Sequence, residues 1–218
     1  MQNFIPQTIL EAFPIGAVRS VAPITNGLIH STFKVEAEEG AFVFQRLHPV
    51  LAAPEIAEDF LRVTEFLVEK DFLAPRCILS KSNSALAQDE TGKPWRVQTF
   101  LAGITFHKMQ NVEMAGDLGD FMARFHLVLN EMPYTFQTKR VAHATEMIYA
   151  LFLEAVDTHP ELVSVVKDEV DFLREGLPKL FLPTDLPIKK VHGDSKITTF
   201  VFDEQGRPSA IIDLDTCN

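Results

Sequence analysis

The feature that most constrains the fold is a change of periodicity about one third of the way along the chain. Up to about residue 48 the signals are extended: Ser31-Thr32-Phe33-Lys34-Val35 and Ala41-Phe42-Val43-Phe44-Gln45-Arg46-Leu47 flank the turn Glu39-Gly40, as the arms of a β-hairpin do. Behind Pro54 the pattern becomes helical. Ile56, Phe60, Val63 and Leu67 share one face, and proline suits a first helical turn, so one amphipathic helix is expected over about 54 to 70. A second pair of strand-like runs surrounds the turn Glu90-Thr91-Gly92-Lys93, with Trp95-Arg96-Val97-Gln98-Thr99-Phe100-Leu101 leaving it. Sheet-forming and helix-forming segments occur in separate blocks, which is the α+β pattern.

From about 111 to 180 the chain reads as mostly helical. Leu118, Met122, Phe125 and Leu129 make one stripe, and Leu162, Val166, Val170 and Leu173 another behind Pro160. Short strands return at Phe200-Val201-Phe202 and Ala210-Ile211-Ile212, joined by the turn Asp203-Glu204-Gln205-Gly206. The expected division is a smaller lobe over 1–103 and a mainly helical lobe over 104–218.

At 218 residues with 46% apolar content, such a chain can bury a good core. A net charge of −10 argues against a nucleic-acid partner, because phosphate backbones are bound by clustered Lys and Arg. It does not argue against a nucleotide, which a few local cations and backbone amides can hold. No run approaches the roughly 20 apolar residues of a membrane span, and Met1-Gln2-Asn3-Phe4 lacks a signal-peptide pattern. The expectation is a cytoplasmic protein without a membrane partner. Cys77 and Cys217 are read as two ordinary thiols.

The chemistry-bearing segment is His192-Gly193-Asp194-Ser195-Lys196-Ile197-Thr198-Thr199, followed beyond a short hairpin by Ile212-Asp213-Leu214-Asp215. Phosphoryl transfer needs a carboxylate to orient and deprotonate the attacking hydroxyl, and separate oxygen ligands for a magnesium ion on the phosphates. A hairpin between two acidic clusters can bring both to one cleft. In the kinase pattern a His-x-Asp is followed by an Asn five residues on and by a later Asp at a strand end. Asp194 and Asp213 fit that pattern, and Lys196 is well placed for the transferring phosphate. Thr199 stands where the pattern has Asn.

On these residues the chain resembles the phosphotransferase enzymes that include aminoglycoside phosphotransferases, choline kinases and N-acetylhexosamine 1-kinases, the last nearest in wording. The resemblance implies a protein-kinase-like bilobal fold, with a small antiparallel-sheet lobe, a mainly helical large lobe and the C-terminal part of the latter missing. It implies ATP and magnesium as cofactors and a small-molecule hydroxyl as acceptor, a sugar or amino sugar first. Asp194 would be the base, with Lys196 beside it, and Asp213, Thr199 and Asp215 would face the metal. In Asn26-Gly27-Leu28-Ile29-His30-Ser31-Thr32-Phe33 it implies a nucleotide-covering loop contributing Asn26, Gly27, Ser31 and Thr32, although Asn-Gly alone also reads as a hairpin turn. Arg46 would supply the strand cation, with Gln45 the one-residue alternative, and Glu58 would pair with it, with Asp59 as the fallback, unless Glu58 and Arg62 form a surface pair. Gln98 and Phe100 would lie at the strand and hinge beside the base. A catalytically impaired kinase-like binding or regulatory module is the competing reading. Apolar surface left uncovered by the missing segment predicts a homodimer or higher oligomer.

Overall fold

The computed structural model describes residues 4–25, 29–138 and 145–218. The expected Asn26 and Gly27 loop contacts lie outside the described residues. The chain divides into two compact units, one comprising 1–138 with 190–218 and the other 139–189.

The first unit opens with a short helix α1 (Gln7–Ala12), then three strands β1 (Val18–Ile24), β2 (Ser31–Ala37) and β3 (Gly40–Arg46). Helix α2 (Pro54–Glu69) follows, then β4 (Cys77–Ile78), β5 (Ala87–Gln88), β6 (Pro94–Thr99) and the long helix α3 (Val112–Asn130). The sheet runs β1-β2-β3-β6-β4, with β5 also on β6, and its pairings are antiparallel. The β2–β3 hairpin turns at Glu38 and Glu39, and Gly40 at φ 136° opens the return strand with a conformation that L side chains rarely adopt.

Alternation along these strands sorts their side chains onto two faces. Phe33, Val35, Phe42, Phe44, Trp95 and Val97 pack with Ile9 and Phe13 of the α1 region in one core. The opposite face carries Gln45, Arg96 and Gln98. Helix α2 begins at Pro54 with Glu55 in its first turn, both suited to a helix N-terminus. Its buried Phe60, Val63, Phe66 and Leu67 join Leu118, Phe121, Phe125 and Leu129 of α3 in a second core. Asn111 caps α3 by accepting from the Met114 amide at 2.7 Å. Phe121 rather than Met122 lies in the buried stripe, with Met122 at its margin.

In the second unit lie α4 (Thr145–Thr158), α5 (Pro160–Val163) and α6 (Lys167–Gly176). The expected stripe from Leu162 to Leu173 is therefore interrupted. Ser164 turns its hydroxyl back onto the Glu161 carbonyl at 2.8 Å, and β-branched Val165 and Val166 follow, so the helix stops and restarts. Of the four stripe residues only Val170 is buried.

The chain then re-enters the first unit, where β7 (Phe200–Phe202) and β8 (Pro208–Ile211) form the second small antiparallel sheet. A single bridge joins Ile104 to Phe202. Among the described residues no helix is long and apolar enough to cross a membrane.

Candidate functional site

The segment 190–193 runs between two clamps. On one side Asn130, at the end of α3, accepts from the Lys190 amide at 2.8 Å and donates to its carbonyl at 2.9 Å. On the other, Val191 and Asn218 exchange backbone hydrogen bonds, and Thr216 Oγ1 donates to the His192 carbonyl at 2.8 Å. Gly193 adopts φ +81°, and a Cβ there would collide with the Thr216 carbonyl oxygen. Glycine is required at this position both for its backbone angle and for that close approach.

His192 is fully buried and reaches across to the second acidic cluster. Its Nδ1 accepts from the Asp194 amide at 3.3 Å, which leaves Nε2 to donate to the Ile212 carbonyl at 3.1 Å. Burial lowers its pKa below the usual 6.5, so the ring is neutral and acts as a strut between the loop and β8's end. Its amide donates to His126 Nε2 at 3.4 Å, giving His126 a structural position behind the loop.

Ahead of this strut Asp194 and Asp213 are brought to one cation. Lys196 Nζ forms an ion pair with Asp194 and a second with Asp213 at 3.5 Å. Burial alone would lower the lysine pKa, but the two carboxylates outweigh it and the net direction is upward. Asp213 sits in the left-handed region at φ 66°, ψ 45°, uncommon for a non-glycine residue. All three side chains remain partly open to solvent.

The other expected metal ligands are turned elsewhere. Thr199 is buried, donates to the Lys196 carbonyl at 2.7 Å and accepts from the Lys196 amide at 3.4 Å, so its hydroxyl closes the loop on itself. Asp215 is buried against Arg96, which donates to both of its oxygens. Of the three, Asp213 alone combines an open carboxylate with a place beside Asp194. Among the described residues no group of three or more His, Cys, Asp or Glu side chains is gathered for a metal. Magnesium commonly takes one or two protein carboxylates and fills its remaining positions with phosphate oxygens and water, so Asp213 fits an ion that arrives with a nucleotide.

Alternation puts Arg46 and Gln45 on opposite faces of the sheet. Arg46 pairs in register with Ser31 and donates to its Oγ at 2.8 Å, on the face shared with Phe33 and Phe44. Gln45, one residue earlier, lies on the opposite face beside Arg96 and opposite Thr32. Glu58 pairs with Arg62 at 2.7 Å, the surface alternative for that residue. On the sheet, the cation that reaches the turn after β8 is Arg96, through Asp215; the sequence reading passed it over, although a charge between Trp95 and Val97 in an apolar strand was the available signal. Gln98 is buried, with its Oε1 unpartnered, and the Phe100 ring carries Lys34 Nζ at 4.2 Å from its centre. His30, on the approach to β2, accepts from the His48 amide at 3.1 Å, and burial lowers its pKa. A surface hollow of about 280 Å³ lined by Asp117, Asp120, Arg124 and Asp203, and another of about 450 Å³ beside α1, include none of these residues.

Comparison with known proteins gives this arrangement a family. The model of the phosphotransferase enzyme family, APH, matches residues 20–218. The homoserine kinase of Bradyrhizobium diazoefficiens is 27% identical over 211 residues, covering 96% of this chain and 62% of its own length. That of Bradyrhizobium sp. (strain ORS 278) is 24% identical over 186 residues, covering 85% of this chain and 55% of its own. The chain thus spans a little over half the length of the curated relatives it matches. Among solved structures, amicoumacin kinase hAmiN, in complex with AMP-PNP, Ca²⁺ and Ami, superimposes with a TM-score of 0.68 at 16% identity, over 99% of this chain and 65% of that one. The GDP complex of aminoglycoside 2'-phosphotransferase-IIIa also gives 0.68, at 18% identity, over 96% and 71%. The expected kinase-like fold is the fold observed.

Proposed function

Because the chain belongs to the phosphotransferase enzyme family, we propose that it transfers the γ-phosphoryl group of ATP to a hydroxyl of a small molecule, with Asp194 as base. The observation that carries this is the convergence of Asp194 and Asp213 on Lys196. Asp194 orients the acceptor hydroxyl and takes its proton as the O–P bond forms, while ADP leaves. Lys196 moves its charge from the carboxylates toward the transferring phosphate. Asp213 would hold a magnesium ion brought with ATP, which supplies charge neutralisation on the phosphates. His192 stays neutral and holds the geometry. Gln45, Gln98 and Phe100 line the sheet side of the nucleotide, Ser31 and Thr32 its covering loop, with the helical lobe taken to begin after Gly103.

The acceptor proposed is an amino-bearing alcohol, an amino sugar or a homoserine-like compound. The matched relatives include homoserine kinases and an aminoglycoside phosphotransferase, and a chain of net charge −10 attracts ammonium-bearing molecules. Asp194→Asn is expected to abolish transfer from ATP to such acceptors while nucleotide affinity stays within about twofold. Unchanged turnover would overturn the assignment.

A second reading, a kinase-like module that binds nucleotide without transfer, is favoured by the engagement of Thr199 with the Lys196 carbonyl and of Asp215 with Arg96. It predicts nucleotide binding that is indifferent to magnesium.

A further inference from the structure

We infer that Arg96 and Asp215 form a positioning pair that fixes Asp213 for the transfer proposed above, on which reading the inference rests. Arg96 is 1% exposed and Asp215 3%. The guanidinium meets the carboxylate as a fork, with one bond at 2.8 Å and a second through Nη1 to Oδ1. Nη2 also donates to Gln45 Oε1 at 2.7 Å, and the guanidinium carbon lies 3.7 Å from the centre of the Phe60 ring. Thus β3 and α2 both hold the guanidinium that β6 carries, and that guanidinium grips the carboxylate of Asp215 in the 3₁₀ turn Leu214–Thr216.

A buried ion pair is a weak source of stability, because desolvation of both charges offsets their attraction and well-packed apolar substitutes often do as well. What the fork supplies is direction, since a planar guanidinium and a carboxylate fit in few orientations. Direction is what the neighbouring residue requires. Asp213 is left-handed without being glycine, a conformation that persists only when its surroundings over-determine it. On its C-terminal side the turn is held by Thr216 to His192 and by Asn218 to Val191. Arg96 holds it from the sheet, through bonds from both of its terminal nitrogens to the Asp215 carboxylate. The pair also neutralises Asp215, leaving Asp213 as the carboxylate of the turn that faces Lys196.

The test compares the 218-residue chain with Arg96→Met, Arg96→Lys and the double variant Arg96→Met, Asp215→Leu. Three quantities are read: thermal unfolding, amide hydrogen exchange, and ATP affinity with and without magnesium. Arg96→Met strands a buried carboxylate and unfolds at lower temperature, and the double variant regains most of that loss. In the double variant, exchange at Cys217, Asn218 and Val191 is nonetheless expected to rise about tenfold relative to α3 amides, with Arg96→Lys in between. Magnesium-dependent ATP affinity falls about tenfold while affinity for ATP alone is unchanged. Wild-type exchange at those amides in a stable double variant overturns the inference, as does a uniform rise across the first unit, which makes the pair merely structural. A wild-type chain that binds ATP without regard to magnesium refutes the functional reading instead, and the exchange rates still decide the positioning role.

Discussion

His192 illustrates how a single buried side chain ties the site to pH. Its folded pKa is depressed below 6.5 by burial, so the folded state binds its proton less readily than the unfolded chain. The stability from its strut is complete above about pH 6.5 and declines as pH falls toward its lowered folded pKa. His126, next to it, is shifted in the same direction by burial. Melting curves of wild type and His192→Gln from pH 8 to pH 5 check this: the gap between them is expected to narrow on acidification, and a constant gap contradicts it. Gly193 is the other strict requirement. Gly193→Ala combines a left-handed backbone angle with a Cβ driven into the Thr216 carbonyl, and is expected to cost about 1–3 kcal/mol from the backbone term alone. Chemical denaturation measures it, and a loss below about 0.5 kcal/mol would show that the 192–216 approach is looser than described.

Among the elements, the clearest unanticipated tie is from α2 to the segment after α3. Asp59 is buried and accepts from Tyr134 Oη at 2.8 Å, from the Gln137 and Thr138 amides at 2.9 and 3.1 Å, and from the Thr138 hydroxyl. Burial pushes its pKa up, but these four bonds outweigh that and hold it below the usual carboxylate value. Asp59→Ala is expected to destabilise by about 2–4 kcal/mol by leaving buried donors unpaired, read from the denaturation midpoint at constant slope. From the sequence Asp59 is expected only as the fallback for Glu58, because its partners lie 75 or more residues away. The strands and α2 were legible because alternation and 3.6-residue spacing are local. The same alternation, applied to Gln45 and Arg46, decides which lies beside Arg96, but only once the sheet's inner face is known. Arg96 was not legible as a site residue since its partner, Asp215, is 119 positions on. The Leu162 to Leu173 stripe failed for a local reason, the Ser164 back-bond, which periodicity does not register.

For the whole molecule, net charge and exposed apolar side chains pull in different directions. The second unit presents Phe172 at 75% exposure and Ile188 at 99%, with Leu162, Leu180 and Leu182 also exposed. We propose that such surface is covered by a second copy of the chain, with like charge limiting further growth. Light scattering at rising ionic strength is expected to show a dimer that tightens as repulsion is screened, and a monomer at all salt concentrations would contradict it. The central claim remains that Asp194, Lys196 and Asp213 form a phosphoryl-transfer site. Its most direct test is a thermal-shift titration with ATP, with and without magnesium, on the wild-type chain and Asp213→Asn. The account predicts a larger rise in wild type when magnesium is present, and loss of that increment in Asp213→Asn. Equal shifts in both proteins, or none in either, would contradict it.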